Sequence, residues 1–250
     1  MLKKILSNIA GKRIKNKSDL LNVLKKDGKS LEKTTKALQN DKEVVTQAVT
    51  QNGYSLKWAS KDLKNDKDIV LIALKSNCFS KNFMDKKFFG DEDVVLQLFD
   101  CGCETFESVD LGMRENAKVV TLAVQKDGLA LKYASSKLRD DLNIVTQAIQ
   151  NTGHALEFAS NRLKNNIPLV KTAVSKHGAA LQYSTKELQN NKEVVTLAVQ
   201  NKGLALQYSS EELRNDFDVV KVACQSDNGK ALYLASKKLR QNEELKKLIK

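Results

Sequence analysis

The chain has 250 residues, one proline, eleven glycines, 41% hydrophobic and 29% charged residues; this balance excludes collagen-like, low-complexity and disulfide-scaffold classes and favours a folded, mostly helical protein. No apolar run approaches the roughly 18 residues that span a bilayer, and the opening MLKKILSNIAGKRIK lacks the apolar segment of a secretory signal, so the expectation is a soluble, intracellular chain of the cytoplasm. A net charge of +12 bears on association, not on fold, and makes anionic partners worth testing.

Glycines at 28, 53, 128, 153, 178 and 203 share one 25-residue register, and Cys78 and Cys103 fill the two vacant places. Internal repetition of this kind outranks any local reading. In chain order, residues 1–27 read as a worn capping repeat with Asn16, Leu20 and Val23 in frame. Residues 28–77 are regular repeats, 78–127 are two divergent repeats rich in Phe and Cys, and 128–228 are regular again. A single inserted residue precedes Gly229, which opens a C-terminal capping repeat over 229–250.

Within a repeat, with the glycine as position zero, position three is Leu31, Leu56, Leu131, Leu156, Leu181, Leu206 or Leu232, with Phe106 in the second divergent repeat and Lys81 breaking the rule. Position seven is Ser or Thr in most repeats, suited to capping a last short turn. Position ten is apolar throughout, from Leu38 and Leu63 through Phe88 and Met113 to Leu163 and Leu239. Position thirteen is always Asp or Asn, from Asp41 to Asn242, and an aliphatic pair and then an alanine follow it, as in Val194, Val195 and Ala198.

The spacing of those apolar residues is helical. An Asp or Asn before them accepts bonds from the free N–H groups of the first turn, so position thirteen is the N-cap of a helix of about ten residues. The glycine is expected to end that helix as a left-handed C′ residue, and Pro168 falls in a first turn, where its missing N–H does no harm. Between glycine and cap, stretches such as GLALKYASSKL carry a second, shorter helix. Each repeat is thus a helical hairpin too small to bury its own apolar face, and neighbours must stack. The fold class is all-α: an α-solenoid of about nine to ten helix-turn-helix repeats, one superhelical array over 1–250, roughly 90 Å long at helix spacings of 8 to 10 Å.

The recurring string, GLALKYASSKLRDDLNIVTQAI from Gly128 and GLALQYSSEELRNDFDVVKVAC from Gly203, resembles the repeat family catalogued as domain of unknown function 4116, over about residues 16 to 242. The resemblance implies intracellular proteins of bacteria, protists and large viruses, with no catalytic residues assigned to the repeat.

Four features invite a functional reading. Six of the eight phenylalanines lie between Phe79 and Phe106; Phe83, Phe88 and Phe106 occupy core register, whereas Phe79 and Phe89 fall where other repeats carry varied side chains and are expected to be exposed, as anchors for a partner. The competing reading is a repacked or kinked pair of repeats. Cys78, Cys101 and Cys103 suggest a metal, but the only histidines, His154 and His177, lie repeats away. Free thiols are expected instead, with no metal and no cofactor, since a packing distance near 10 Å would keep Cys78 and Cys103 too far apart for an unstrained disulfide.

Position eleven carries Lys64, Arg114, Arg139, Lys164, Arg214 and Arg240, which stacking would turn into a ladder able to follow phosphates; the alternative is pairing with Asp66, Asp141 and Asp216. The front segment, residues 1 to 36, holds +8 of the net charge. Its Lys12, Arg13, Lys15 and Lys17 are further candidates for anion contact. The same segment, with Leu2, Ile5, Leu6 and Ile9 on one face, also reads as a membrane-surface helix or, over residues 1–17, as a mitochondrial targeting peptide; the capping repeat is preferred.

Phosphate-loop, dinucleotide, zincin and nucleophile-elbow motifs are absent, and two histidines leave little room for acid–base work. The expectation is a non-catalytic scaffold that binds another macromolecule, first a protein. The alternatives are a nucleic-acid-associated protein, such as a ribonucleoprotein component, and a structural component of a larger assembly or particle.

Overall fold

The computed structural model describes residues 16–102, 106–107 and 109–248. The described residues form helices and turns without strands, and they fall into two compact units, one up to Met113 and one from Arg114. In the first unit the long helices are α1 (Lys17–Leu24), α2 (Lys42–Gln51), α3 (Lys67–Ser76) and α4 (Glu92–Asp100). In the second they are α5 (Ala117–Lys126), α6 (Leu142–Asn151), α7 (Ile167–Lys176), α8 (Lys192–Asn201) and α9 (Phe217–Ser226).

The N-caps stand where the residue types require. Asp41 accepts the Val44 N–H at 3.1 Å, Asn166 the Leu169 N–H at 3.1 Å, and Asp216 the Val219 N–H at 3.1 Å. Pro168 lies in the first turn of α7. At the front, Asn16 caps α1 through the Asp19 N–H at 2.9 Å and Leu20 is fully buried. Residues 1–15, including Lys12, Arg13, Lys15 and most of the proposed targeting segment, lie outside the described residues.

The stretch between register zero and the cap is not one short α-helix. It is a 3₁₀ helix over positions zero to five, as in Gly153–Phe158, followed by a single turn such as Asn161–Lys164. Ser160 caps that turn by accepting the Leu163 N–H at 3.3 Å, in the role expected of position seven. Six residues of GLALKY type hold small Ala or Ser at position two, which is buried. The tighter 3₁₀ winding brings positions zero, two and three together on the inward side.

Consecutive long helices pack on one another within each unit, and consecutive 3₁₀ helices form a second column beside them. The repeats therefore stack as an α-solenoid in each unit, with the core sealed between the columns. The aliphatic pair, the alanine and the residue after it, for example Val44, Val45, Ala48 and Val49, are wholly buried, as are Leu131, Leu156 and Leu181 at position three. Each such Val or Leu is worth about 1.5–3 kcal/mol relative to exposure, which explains why the regular repeats keep them.

The register glycines correct the expectation. Among the described glycines only Gly102 and Gly229 have positive φ, and neither stands in the strict register. The register glycines instead open the 3₁₀ helices, where a Cβ would collide with the next repeat: at Gly53 with the Ala73 carbonyl oxygen and, at 2.9 Å, with the Asn77 nitrogen. Glycine is required by close approach, not by a left-handed turn. Left-handed residues follow a long helix at two places outside the strict register: Gly102, at φ 70° just past the Cys101 cap of α4, and the Asn228–Gly229 pair past the Asp227 cap of α9, at φ 57° and 84°, where the Gly229 N–H reaches the Cys224 carbonyl at 2.7 Å.

Candidate interaction surface

Three rails tie each repeat to the next, and they use up much of the polar chemistry that the sequence offers. The position-seven N–H donates to the position-eleven carbonyl of the preceding repeat, as from Ser160 to Arg139 at 2.9 Å and from Ser210 to Gln189 at 2.9 Å. The position-seven hydroxyl donates to position twelve, as from Thr185 to Asn165 at 2.6 Å and from Ser236 to Asn215 at 2.7 Å. On the long-helix side, a lysine at position fourteen reaches the capping aspartate of the next repeat: Lys17 to Asp41 at 2.7 Å, Lys42 to Asp66 at 2.6 Å, Lys67 to Asp91 at 2.8 Å and Lys192 to Asp216 at 2.7 Å. For Asp66, burial raises the carboxyl's pKa, but the bonds from Lys42 and from the Ile69 and Asp68 N–H groups outweigh it and hold the group below the usual carboxylate range.

These contacts place the candidate cations. Lys17 is engaged by Asp41 and Glu43, at 2.7 and 2.8 Å. At position eleven Lys64, Arg114, Arg139, Lys164 and Arg214 are half-buried, and only Arg240 is exposed. The Lys64 ammonium turns inward to the Lys57 carbonyl at 2.6 Å, and burial, helped by Lys36, lowers its pKa. Where position eleven is glutamine it does the same, Gln189 Nε2 bonding the Leu181 and Gln182 carbonyls at 3.2 Å. The shared role is to cap the carbonyl end of the 3₁₀ helix. Arg114 lies over the Tyr133 ring at 5.5 Å, and the Nε atoms of Arg139 and Arg214 are buried without an acceptor. Pairing with Asp66 and Asp216, the alternative from sequence, gives way to the position-fourteen lysines, which occupy those carboxylates.

Phe79 is 61% exposed, as expected. Phe89 is not: it is half-buried against the core of the first unit, with Phe83, whose ring meets Tyr54 edge-on at 4.8 Å. Phe88 and Phe106 are buried. Cys78 is disulfide-bonded, against the expectation of a free thiol, whereas Cys101 and Cys224 are free and Cys103 lies outside the described residues. The expectation rested on the separation of helix axes. Register-zero positions sit closer than that, as the approach of Gly53 to Asn77, the neighbour of Cys78, shows. Burial, aided by Asp227, pushes the Cys224 thiol up to about 11, which leaves it unreactive.

One surface escaped the sequence reading. In the second unit the position-fourteen rail is interrupted by Ala117, Leu142 and Ile167, all exposed, with Leu142 at 46% and Ile167 at 40%. Beside them an open groove of about 670 Å³ runs between α6 and α7, lined by Leu142, Thr146, Pro168 and Thr172. The signal lay in hydropathy at position fourteen, which is charged at Lys17, Lys42, Lys67 and Glu92 and then apolar at Ala117, Leu142 and Ile167 before Lys192 restores the charge. On the 3₁₀ side, a second groove of about 580 Å³ is lined by Gln182, Lys186, Gln207, Glu211 and Arg214, the variable positions four, eight and eleven. Among the described residues no three His, Cys, Asp or Glu side chains converge as a metal site, and no helix is long and apolar enough to cross a membrane.

A family model described as Domain of unknown function (DUF4116) matches residues 16–64, 50–89, 91–139, 116–164, 141–189 and 191–240. No curated protein and no solved structure matches the chain.

Proposed function

We propose, from the premise that this chain belongs to the DUF4116 repeat family, that it is a non-catalytic scaffold whose repeated surface holds another protein. The observation that carries this reading is the exposed aliphatic strip of the second unit, Ala117, Leu142 and Ile167, at a position where Lys17, Lys42, Lys67 and Lys192 are salt-bridged to the next repeat. Exposed aliphatic side chains beside a groove lose nothing by desolvation and suit a protein partner. A phosphate backbone would gain nothing from them. The nucleic-acid reading draws on cations, and those at position eleven are half-buried apart from Arg240, with Lys64 turned to a 3₁₀ carbonyl. Residues in the 3₁₀-side groove would then set specificity, because they vary on a fixed frame.

The test replaces Leu142 and Ile167 together by lysine, the residue that the rail carries at Lys42 and Lys192. Such exposed changes are expected to leave stability within about 0.5 kcal/mol. The tagged chain and the variant are used as baits in extracts of the source cells at about 100 and 300 mM salt, with and without nuclease. A protein retained by the parent at the higher salt and after nuclease, and lost from the variant, supports the reading. Recovery that disappears with salt or nuclease, or that the variant does not diminish, overturns it in favour of an electrostatic or other surface.

A further inference from the structure

Neighbouring repeats are clamped at the register glycines. In α6, the Asn151 Oδ1 accepts the Gly128 N–H at 2.9 Å while its Nδ2 donates to the Gln125 carbonyl at 2.9 Å. In α8, Asn201 does the same, from the Gly178 N–H at 2.7 Å and to the Ser175 carbonyl at 2.8 Å. In the first unit Gln51 accepts the Gly28 N–H at 2.7 Å and donates to the Lys26 carbonyl at 3.3 Å. A carboxamide can do both because it carries an acceptor and a donor and does not titrate. The junction between the repeats of Gly153 and Gly178 differs: there the Gly153 N–H is accepted by His177 Nδ1 at 3.1 Å.

We propose that this junction is an acid-sensitive joint in the second unit, in which neutral His177 closes the stack and protonated His177 releases it, while the carboxamide-clamped junctions on either side stay shut. An imidazole that accepts at Nδ1 carries its proton on Nε2 and is neutral; a second proton turns Nδ1 into a donor facing a donor. Gly153 is buried, so its N–H is then left without an acceptor away from water. There is little slack, since even a Cβ at Gly153 would lie 3.1 Å from Nδ1.

The surroundings do not offer the imidazolium a partner. From the 3₁₀ helix Gly153–Phe158 comes His154, its ring 4.7 Å away and edge-on, and Glu157, which is engaged by the Tyr183 hydroxyl. The 3₁₀ helix Gly178–Tyr183 brings that tyrosine, and α7 brings Lys176. Helix α6 has no titratable side chain. Helix α8 carries Lys192 and Glu193 in its first turn, and Lys202, just past its end, packs beside Gly178. Burial, then His154 and Lys176, hold the His177 pKa below the ordinary imidazole value. The unfolded chain therefore binds more protons just below pH 6.5. The stabilisation is complete above that value and is lost as pH falls through it towards the lower folded pKa.

The full chain, the His177→Asn variant and, as a second control, His154→Gln are compared at pH 7.5 and 5.5 by thermal unfolding and by amide exchange corrected for intrinsic rates. The expected result is a Tm about 2–4 °C lower at pH 5.5 that His177→Asn no longer shows. It is accompanied by loss of protection at the Gly153 amide but not at Gly128 or Gly178. Nitrogen NMR of the unaltered chain reads the tautomer directly, with Nε2 protonated and the ring titrating below 6.5, so the outcome does not depend on a variant that folds. Equal loss of protection at all three glycines, a pH response that survives His177→Asn, or a His177 pKa at or above 6.5 overturns the proposal.

Discussion

From Gly128 to Ser226 the repeats keep a glycine at every register zero, and their position-seven N–H groups meet the preceding repeat at 2.9 Å from Ser160 and from Ser210. Between Cys78 and Met113 the glycine is gone and Lys81 stands where leucine is buried elsewhere, yet the same bonds persist at 3.4 Å from Asp85 and 3.2 Å from Asp110, beside 3.3 Å from Thr185 in the regular region. Aromatic rings take over the packing: Phe83 meets Tyr54 at 4.8 Å, and Phe99 meets Phe106 at 5.9 Å. The difference shows what the glycine is for. It buys the closest approach of backbone to backbone, and where it is absent, larger side chains fill the space while the polar rail persists.

Gly153→Val breaks the comparison most severely. Its side chain meets the Ala173 carbonyl, a backbone atom that cannot swing away, and a loss of about 4 kcal/mol is expected by chemical denaturation. Since the cause is collision and not strain, Gly153→Ala should cost nearly as much. Gly102→Ala, at φ +70° with nothing within 4 Å, should cost only about 1–2 kcal/mol; an equal loss at the two glycines would refute the close-approach account.

Leu163→Ala comes next. That side chain is fully buried in the regular region, and a cavity there should cost about 3 kcal/mol. No change in the denaturation midpoint would mean that the core register is misassigned.

The smallest effect is expected from Lys67→Met, which removes the rung to Asp91 at 2.8 Å and to Asp93 at 2.7 Å. The lysine is partly exposed and its ammonium faces solvent, so its contribution should be detectable only at low salt and vanish by about 0.5 M. The second unit stacks with Leu142 in the corresponding place, which already shows that a rung is dispensable.

Much of this was legible in the chain. Asp41, Asn166 and Asp216 cap because a short polar acceptor before an aliphatic pair has one favourable use, and Ser160 follows the same rule. Leu156 and Leu163 declared themselves core by recurring at a fixed interval. The candidate site was less legible. Phe79 was found exposed as expected, but Phe89 turned inward, half-buried against the core of the first unit like Phe83. The strip at Ala117, Leu142 and Ile167 was visible as composition, yet it acquired meaning only once Lys42 and Lys192 were seen to pair across repeats.

By itself the sequence determined the repeat, its helical class, its caps and its core, because each of these depends on residues a few places apart and is then copied along the chain. Only the tertiary structure decided why the glycines are glycine, which lysines are bound and which aliphatic residues are left exposed. It also decided that His177, one place further along the repeat than Asn151 and Asn201, takes over their role as acceptor of the glycine N–H. These are contacts between residues about one repeat apart, where the distance of approach and the direction of a single donor settle the outcome, and no periodicity in the chain records either.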